Sequence, residues 1–351
     1  MKITKIALSD DLRAFLTNDD VQLVREMKIK KDFFYHLESE ETARYHKKIE
    51  ILISKYIPVS RSSYGFVKGK SYFDFLSPHL DSKYFSRLDI KKFFHSISAD
   101  DLSKKLKPYF VDKLDKDSNV RLIDLILKKL TYEVPANSKN QYFIGKKILP
   151  IGFPCSPIIS NLVLRPIDIQ IEKICKEHNV IYTRYADDML FSSKYMLSLF
   201  NGEIKNSVNR IISHIGLTLN ESKTVITSGH ISLNGYVIDG TTNTLRVSNE
   251  KTMKLKKTIR LIILKKERFS AIACKYYGLN IKNLRYHNAN TDKYFETYCK
   301  NIVLNKLSGY RAYFISILKF DSEHNVLDEK SIIKYNLIIS DLDKILNEYR
   351  N

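Results

Sequence analysis

The sequence predicts an α+β fold: a small antiparallel sheet in the middle of the chain, backed by helices and followed by a helical C-terminal part. Three observations carry this. The apolar runs NVIYTR and MLFSS flank YADD, a hairpin pattern with carboxylates at its tip. The segment SPIISNLVLRPIDIQIEKICKEH places Ile159, Leu162, Val163, Ile167, Ile171 and Ile174 at helical spacing. From Asn249 onward the apolar rhythm is mostly helical.

Taken in order, residues 1–55 read as helical and charged, as in DFFYHLESEETARYHKKIEILISKY. At Pro58 the chemistry turns to loop, with Gly, Ser and basic residues in IPVSRSSYGFVKGKSYFD. A strand follows at 84–89, helices near 100–108 and 119–130, and a strand over 141–149 turning at Gly145. In the long helix Ser156 is placed as N-cap and Pro157 at the first helical position, with a kink or break at Pro166. After the hairpin come a helix over 195–215 and strands near 223–228 and 231–238. The sharpest change of character falls near residue 245, which divides the chain into 1–83, 84–245 and 246–351.

A chain of 351 residues with 44% hydrophobic content can bury a sizeable core. Its net charge of +19 favours a polyanionic partner, nucleic acid before an anionic membrane. No apolar run approaches the roughly 18–20 residues of a membrane span. The start mixes acid and base and lacks the apolar stretch of a secretion signal. The cysteines Cys155, Cys175, Cys274 and Cys299 form no C-x-x-C pair, which fits neither a zinc site nor a disulfide framework and suits a cytoplasmic protein.

Asp187 and Asp188 at the hairpin tip would repel each other, and a bound cation is a natural reason to keep them adjacent. Most Asp-Asp pairs are turn residues or helix caps. Here the apolar strands on both sides push the pair out of a sheet, and Asp89 ends another strand in YFSRLDIKKFF. Carboxylates brought together in this way suit hard divalent cations, and two such ions about 4 Å apart can activate a hydroxyl and stabilise a leaving phosphate.

The motifs around these acids resemble those of reverse transcriptases. YADD with its apolar flanks is similar to the central motif, and RLDIKKFFHSIS to the first catalytic motif. LPIGFPCSPIISNLVL resembles the nucleotide-lining loop, GLTLNESKT the Gly-Leu and Asn-x-x-Lys-Thr motif, and HISLNGYVI the primer-gripping hairpin. They occur in family order across about residues 62–240. YGFVKGKS and KLSGYRAYFISIL further resemble the bacterial retron and defence-associated (abortive-infection-like) branch.

The resemblance implies a right-hand polymerase with short fingers, an antiparallel-sheet palm and a helical thumb. It implies two Mg2+ ions, replaceable by Mn2+, held by Asp89, Asp187, Asp188 and the main chain of Ile90. Phe94 takes the place of the gate against a ribose 2′-hydroxyl, and one of Phe93 and Phe94 must be core. Lys223 matches the lysine that protonates pyrophosphate; an ordinary solvated lysine is the alternative. Ile151, Gly152, Pro154, Ser156 and Pro157 would face the nucleotide. Tyr185 would lie near the primer end, and Asn234-Gly235 would turn the primer grip, although Asn-Gly suits any tight hairpin. Residues 251–268 hold eight basic residues against one acid at the thumb position. There Lys254, Lys257 and Arg260 would contact phosphate, unless they simply form the solvated face of an amphipathic helix. Tyr276 and Tyr277 lie in the same region.

Three positions depart from the pattern. Ile151 stands where the family carries Gln. Of the retron Asn-Ala-x-x-His segment only His79 remains, in Phe75-Leu76-Ser77-Pro78-His79. Leu233-Asn234-Gly235 replaces Val-Thr-Gly. The upstream fingers pattern is not recognisable, so Arg61, Lys68 and Lys70 become candidate phosphate contacts, with a flexible, solvated loop as the alternative. The expected function is DNA synthesis from deoxynucleoside triphosphates in bacterial antiviral defence, with a cognate non-coding RNA and the DNA product as nucleic-acid partners. A homo-oligomer or a partner defence protein fits the same group. The alternatives are template-independent or protein-primed synthesis, a group II intron maturase, and a non-catalytic RNA-binding scaffold.

Overall fold

The computed structural model describes Ile6 and residues 8–18, 22–111, 121–279 and 291–350. The chain forms two compact units, Met1–His79 with Lys83–Thr227, and Leu80–Ser82 with Ser228–Asn351. Both sheets and helices are present, so the expected α+β architecture holds.

The first unit opens with helix α1 (Asp10–Thr17), strands β1 (Val24–Ile29) and β2 (Asp32–Leu37), and helix α2 (Glu40–Tyr56). The helical expectation for residues 1–55 is corrected here: β1 and β2 pair antiparallel from Val24↔Leu37 to Ile29↔Asp32. The turn lacks the Gly or Asn that signals a hairpin, and Lys30 takes the positive φ of 56° instead. Tyr35 and Leu37 alternate into a core with Val134, Phe143, Ile148 and Phe153. Helix α2 starts where Ser39 Oγ accepts from Thr42 N at 3.2 Å, with Glu40 and Glu41 in the first turn.

Next come α3 (Tyr72–Leu76), β3 (Tyr84–Asp89), α4 (Phe93–Ser96), α5 (Ala99–Leu106) and α6 (Leu122–Leu130). Residues 119 and 120 of the helix expected over 119–130 lie outside the described residues. The strand expected over 141–149 is corrected to a 3₁₀ turn at Gln141–Phe143 and a short strand β5 (Lys147–Ile148) paired with β4 (Tyr132–Glu133). Helix α7 (Ser156–Glu177) runs unbroken through Pro166. Its N-cap is Cys155, one residue before the expected Ser156, so Pro157 falls in the first turn, where its missing N–H costs nothing.

Strands β6 (Ile181–Tyr185) and β7 (Asp188–Ser193) follow, then α8 (Leu197–Phe200), α9 (Glu203–Ser213) and β8 (Val225–Ser228). The single helix expected over 195–215 is thus two, divided at Asn201-Gly202, where Gly202 has a φ of 78°. The sheet order is β6-β7-β3-β8. Leu88, Met189 and Phe191 of the sheet share one core with Ile159, Leu162, Val163 and Ile171 of α7.

The second unit contains the meander β9 (His230–Leu233), β10 (Tyr236–Asp239) and β11 (Thr244–Val247), then α10 (Asn249–Ile263), α11 (Phe269–Tyr277), α12 (Thr291–His324) and α13 (Glu329–Arg350). Composition changes near residue 245, but the compact units divide after Thr227. The meander belongs with the helices that follow it: Leu245 N donates to Val326 O at 2.8 Å, and Val247 N to Tyr335 Oη at 2.7 Å. No helix among the described residues is long and apolar enough to cross a membrane.

His79 is fully buried, not exposed for recognition. Burial pushes its imidazole down to about 3, so the ring is neutral. Thr183 Oγ1 donates to Phe75 O at 2.9 Å, so it accepts from His79 Nε2 at 2.7 Å. His79 Nδ1 then accepts from Ser192 Oγ at 2.6 Å. The ring thereby braces β6 and β7 together. His79→Leu should cost about 1–3 kcal/mol through the two lost hydrogen bonds. Urea unfolding checks this, and an unchanged midpoint contradicts the brace.

Candidate active site

The register of the sheet assembles the acids. β3 pairs antiparallel with β7 from Tyr84↔Ser193 to Asp89↔Asp188, so Asp89 and Asp188 are direct cross-strand neighbours. Asp187 sits in the two-residue turn between β6 and β7, and its carbonyl accepts from Ile90 N at 3.1 Å. That bond places the main chain of Ile90 beside the cluster. Ala186 completes the turn with a φ of 57°, an uncommon conformation for a residue with a side chain.

Each acid has a distinct environment. Asp89 is buried and accepts from Lys223 Nζ at 2.9 Å and from Asn220 Nδ2 at 3.1 Å. Asp188 accepts from Arg87 Nε at 2.9 Å and Nη2 at 2.5 Å. Burial raises the Asp188 carboxyl, with Arg87 opposing the rise. Burial, then the charges of Asp188 and Asp89, push Asp187 up to about 6. Burial alone would lower Lys223, but the hydrogen bond and charge of Asp89 raise it.

Among the described residues no group of three or more acidic, His or Cys side chains already converges as a metal cage. Two of the three carboxylates are turned onto Lys223 and Arg87. The donor chemistry nonetheless fits a divalent cation. It offers hard carboxylate oxygens whose mutual repulsion, which adds to burial in raising Asp187, a cation relieves.

A cleft of about 620 Å³ opens beside the acids. Asp89, Ile90, Phe94, Ile151, Asp187 and Lys223 all line it. Phe93 is core and Phe94 is only partly buried, and both line the cleft. Gly152, Pro154, Ser156 and Tyr185 are not among the lining residues. Gly152 answers to a different constraint: at a φ of 115°, a Cβ there would lie 2.5 Å from Tyr35 O. Ser156 is buried in the first turn of α7. Tyr185 packs against Tyr72 at 4.9 Å between ring centroids, and against Phe75 at 5.9 Å.

The sequence reading missed Lys31 and Asp32 at the β1–β2 turn, and Asn140, Gln141 and Tyr142, all of which line the cleft. Lys92 Nζ lies 3.2 Å from the Tyr142 ring centroid. Arg61, Lys68 and Lys70 do not line the cleft. Arg87 was legible in principle, because it lies two residues before Asp89 on the same strand.

In the second unit, Asn234-Gly235 forms the β9–β10 turn, and Tyr313 Oη donates to Gly235 O at 3.1 Å. Lys254, Lys257 and Arg260 are exposed on α10, opposite buried Leu255, Thr258 and Ile259. Lys254 lies 5.6 Å from the Tyr277 ring centroid, and Lys257 lies 5.9 Å from that of Tyr276.

Residues 42–281 match the reverse transcriptase (RNA-dependent DNA polymerase) family. The chain is 32% identical over 182 residues to the retron Ec83 reverse transcriptase of Escherichia coli, covering 51% of this chain and 54% of that protein. It is 34% identical over 168 residues to the retron Ec73 reverse transcriptase of Escherichia coli, covering 42% and 47%. The chain thus spans about half the length of these curated relatives. A telomerase structure from Candida albicans aligns with 96% of this chain and 64% of its own at 14% identity and a TM-score of 0.44, too loose a likeness to bear on function.

Gly65 packs flat against the acidic turn: a Cβ there would lie 2.6 Å from Ala186 N. Gly65→Ala should therefore displace one segment or the other at a cost of about 1–3 kcal/mol. Thermal unfolding measures this, and a wild-type midpoint contradicts the close approach.

Proposed function

The chain belongs to the reverse transcriptase family, and from that premise we propose that it is an RNA-directed DNA polymerase that extends a primer with deoxynucleotides. The observation that carries this is the cross-strand pairing of Asp89 with Asp188 beside Asp187, at a cleft also lined by Phe94 and Lys223. Asp89, Asp187, Asp188 and the main chain of Ile90 would hold the divalent ions the family uses, Mg2+ first with Mn2+ as substitute. Such ions supply charge stabilisation to the attacking hydroxyl and the leaving pyrophosphate.

The chain's own residues do the rest. Lys223 holds a proton at Nζ above its ordinary range and is more than half exposed, so it can reach a leaving phosphate while still touching Asp89. Phe94 lines the cleft, where its ring would collide with a ribose 2′-hydroxyl. Lys31, Lys91 and Lys92 add positive charge along the same wall for a triphosphate. Gly152, Pro154, Ser156 and Pro157 would form, with Ile151, the loop that meets the incoming nucleotide. In this reading the first unit supplies fingers and palm. The second supplies the primer grip at Asn234-Gly235, and the thumb, whose Lys254, Lys257 and Arg260 meet phosphate. Tyr185 lies toward the primer end.

We further propose, from the resemblance of YGFVKGKS and KLSGYRAYFISIL to the retron and defence-associated branch, a cognate non-coding RNA as template and a role in bacterial antiviral defence, as a homo-oligomer or with a partner protein. The four free cysteines are consistent with work in a reducing cytoplasm. A second reading, synthesis with little or no template or from a protein primer, is favoured by one observation. Ile151 lines the cleft and offers no side-chain hydrogen bond where an amide would contact sugar and template.

Primer extension on purified protein, with and without RNA, tests these readings. Replacing Asp187 and Asp188 with Ala should lower incorporation by about 10³-fold or more, because several kcal/mol of charge stabilisation is lost. Undiminished incorporation contradicts the polymerase, and a parent protein that binds RNA but never incorporates nucleotide is a scaffold. Faithful copying of an arbitrary RNA excludes the untemplated reading. Phe94→Ala should relax discrimination against ribonucleotides by about 10-fold or more, read as the ratio of kcat/KM for the two sugars. An unchanged ratio removes Phe94 as the gate.

A further inference from the structure

Arg184 is the largest fully buried side chain among the described residues. Its guanidinium makes four hydrogen bonds. Nε donates to Asp168 Oδ1 at 2.9 Å and Nη2 to Asp168 Oδ2 at 2.8 Å, a two-pronged ion pair onto helix α7. Nη1 donates to Asn161 Oδ1 at 3.0 Å and to Ala186 O at 2.9 Å. The last bond reaches past the end of β6 onto the carbonyl that immediately precedes Asp187.

The Arg184 main chain is equally committed. Its N donates to Ser62 O at 2.7 Å, and its O accepts from Tyr64 N at 2.8 Å, so the Ser62–Tyr64 loop runs along the outer edge of β6. Asn161 closes the circuit. Its Nδ2 donates to Gly65 O at 2.8 Å and its Oδ1 accepts from Ser63 Oγ at 2.9 Å. Gly65 in turn presses on Ala186 N. Helix α7, the Ser62–Gly65 loop and the acidic turn therefore meet at one buried guanidinium.

Ala186 holds a φ of 57°. A non-glycine residue keeps that conformation only where its surroundings over-determine it. Here Arg184 Nη1 fixes the carbonyl of Ala186 and Gly65 blocks its amide side.

We propose that Arg184, anchored by Asp168, is a positioning residue that sets the main-chain conformation of the Ala186-Asp187 turn and so aims the Asp187 and Asp188 carboxylates. The inference rests on the polymerase reading for its catalytic consequence. Arg184 touches no substrate. It acts through the Ala186 carbonyl, and a lysine at the same place keeps the charge but cannot reach Asp168, Asn161 and Ala186 together.

The test compares Arg184→Lys with Thr183→Val. Thr183→Val removes the buried bonds to His79 and Phe75 one residue earlier on the same strand without touching the turn. Arg184→Lys should lower kcat for deoxynucleotide incorporation by about 100-fold, the scale of a roughly 1 Å misplacement, and leave the nucleotide KM within about threefold. It should also weaken Mn2+ binding by the nucleotide-free protein by about tenfold or more, followed by electron paramagnetic resonance. Thr183→Val should lose thermal stability but keep both kcat and Mn2+ affinity. The inference is overturned if folded Arg184→Lys keeps both, or if Thr183→Val with a matching loss of Tm loses them equally. If Arg184→Lys does not fold, the double variant Arg184→Met with Asp168→Asn removes both buried charges together and is held to the same two readouts. A parent protein that incorporates no nucleotide defeats the polymerase reading alone, and the Mn2+ comparison then decides the role of Arg184.

Discussion

The register of β3 against β7 is the constraint on which the site depends. Side chains on a strand alternate between faces, so a slip of one residue would carry every side chain of β3 to the wrong face. The slip is resisted from both sides of the sheet. Every residue of β7 is buried, and Phe85 and Leu88 of β3 are fully enclosed. At about 1.5–3 kcal/mol for each large apolar side chain, exposing even two of them outweighs any gain available to a shifted ladder. Because the register is held along its whole length, its last pair is fixed as well, and that pair is Asp89 with Asp188. Two carboxylates that repel each other are kept adjacent by apolar packing several residues away.

This repulsion is managed locally by neighbouring cations, Arg87 on β3 and Lys223 in the turn before β8. Arg87 lies two residues before Asp89, and Lys223 follows the Asn220 that bonds Asp89 through both main chain and side chain. Asp187, in the turn between β6 and β7, is raised by burial and by the charges of Asp188 and Asp89. Behind the turn, the Arg184–Asp168 pair lies wholly out of water. A buried ion pair of this kind adds little net stability, since desolvation consumes most of the attraction, yet removing one partner costs about 3–5 kcal/mol. Its value here is geometric, because few other groups could bond two side chains and a main-chain carbonyl from one rigid plane.

What was legible in the sequence follows from the range of the signals. The hairpin tip, Asp89 at a strand end and the long helix were legible because period and punctuation are local. The β1–β2 hairpin was not, because Lys30 occupies a conformation that Gly or Asn usually marks. Lys31, Gln141 and Tyr142 escaped notice because they reach the cleft from loops far from the motifs in sequence. Arg184 adjoins the most conspicuous motif in the chain, yet its partner Asp168 lies on another element, and no spacing rule joins them. The unit boundary fell earlier than composition suggested because β9–β11 are tied by hydrogen bonds to helices that come later.

Position 151 shows how main-chain and side-chain roles can part within one motif. The carbonyl of Ile151 accepts from Tyr35 N at 2.7 Å, and Gly152 is confined beneath the Tyr35 carbonyl. The loop at Ile151-Gly152 is therefore bound to β2 through its backbone, whatever side chain stands at 151. A backbone held in this way does not need a glutamine to keep its shape, so the exchange to isoleucine changes what the cleft wall offers a ligand while leaving the wall in place. Hydrogen bonding to the nucleotide or template must then come from groups that share the wall. Asn140 already spends its amide on Tyr35 Oη at 2.8 Å. Gln141, exposed and lining the same cleft, is the amide nearest to it in the chain. A side-chain amide at this cleft is thus available from the segment that packs against the loop rather than from the loop itself.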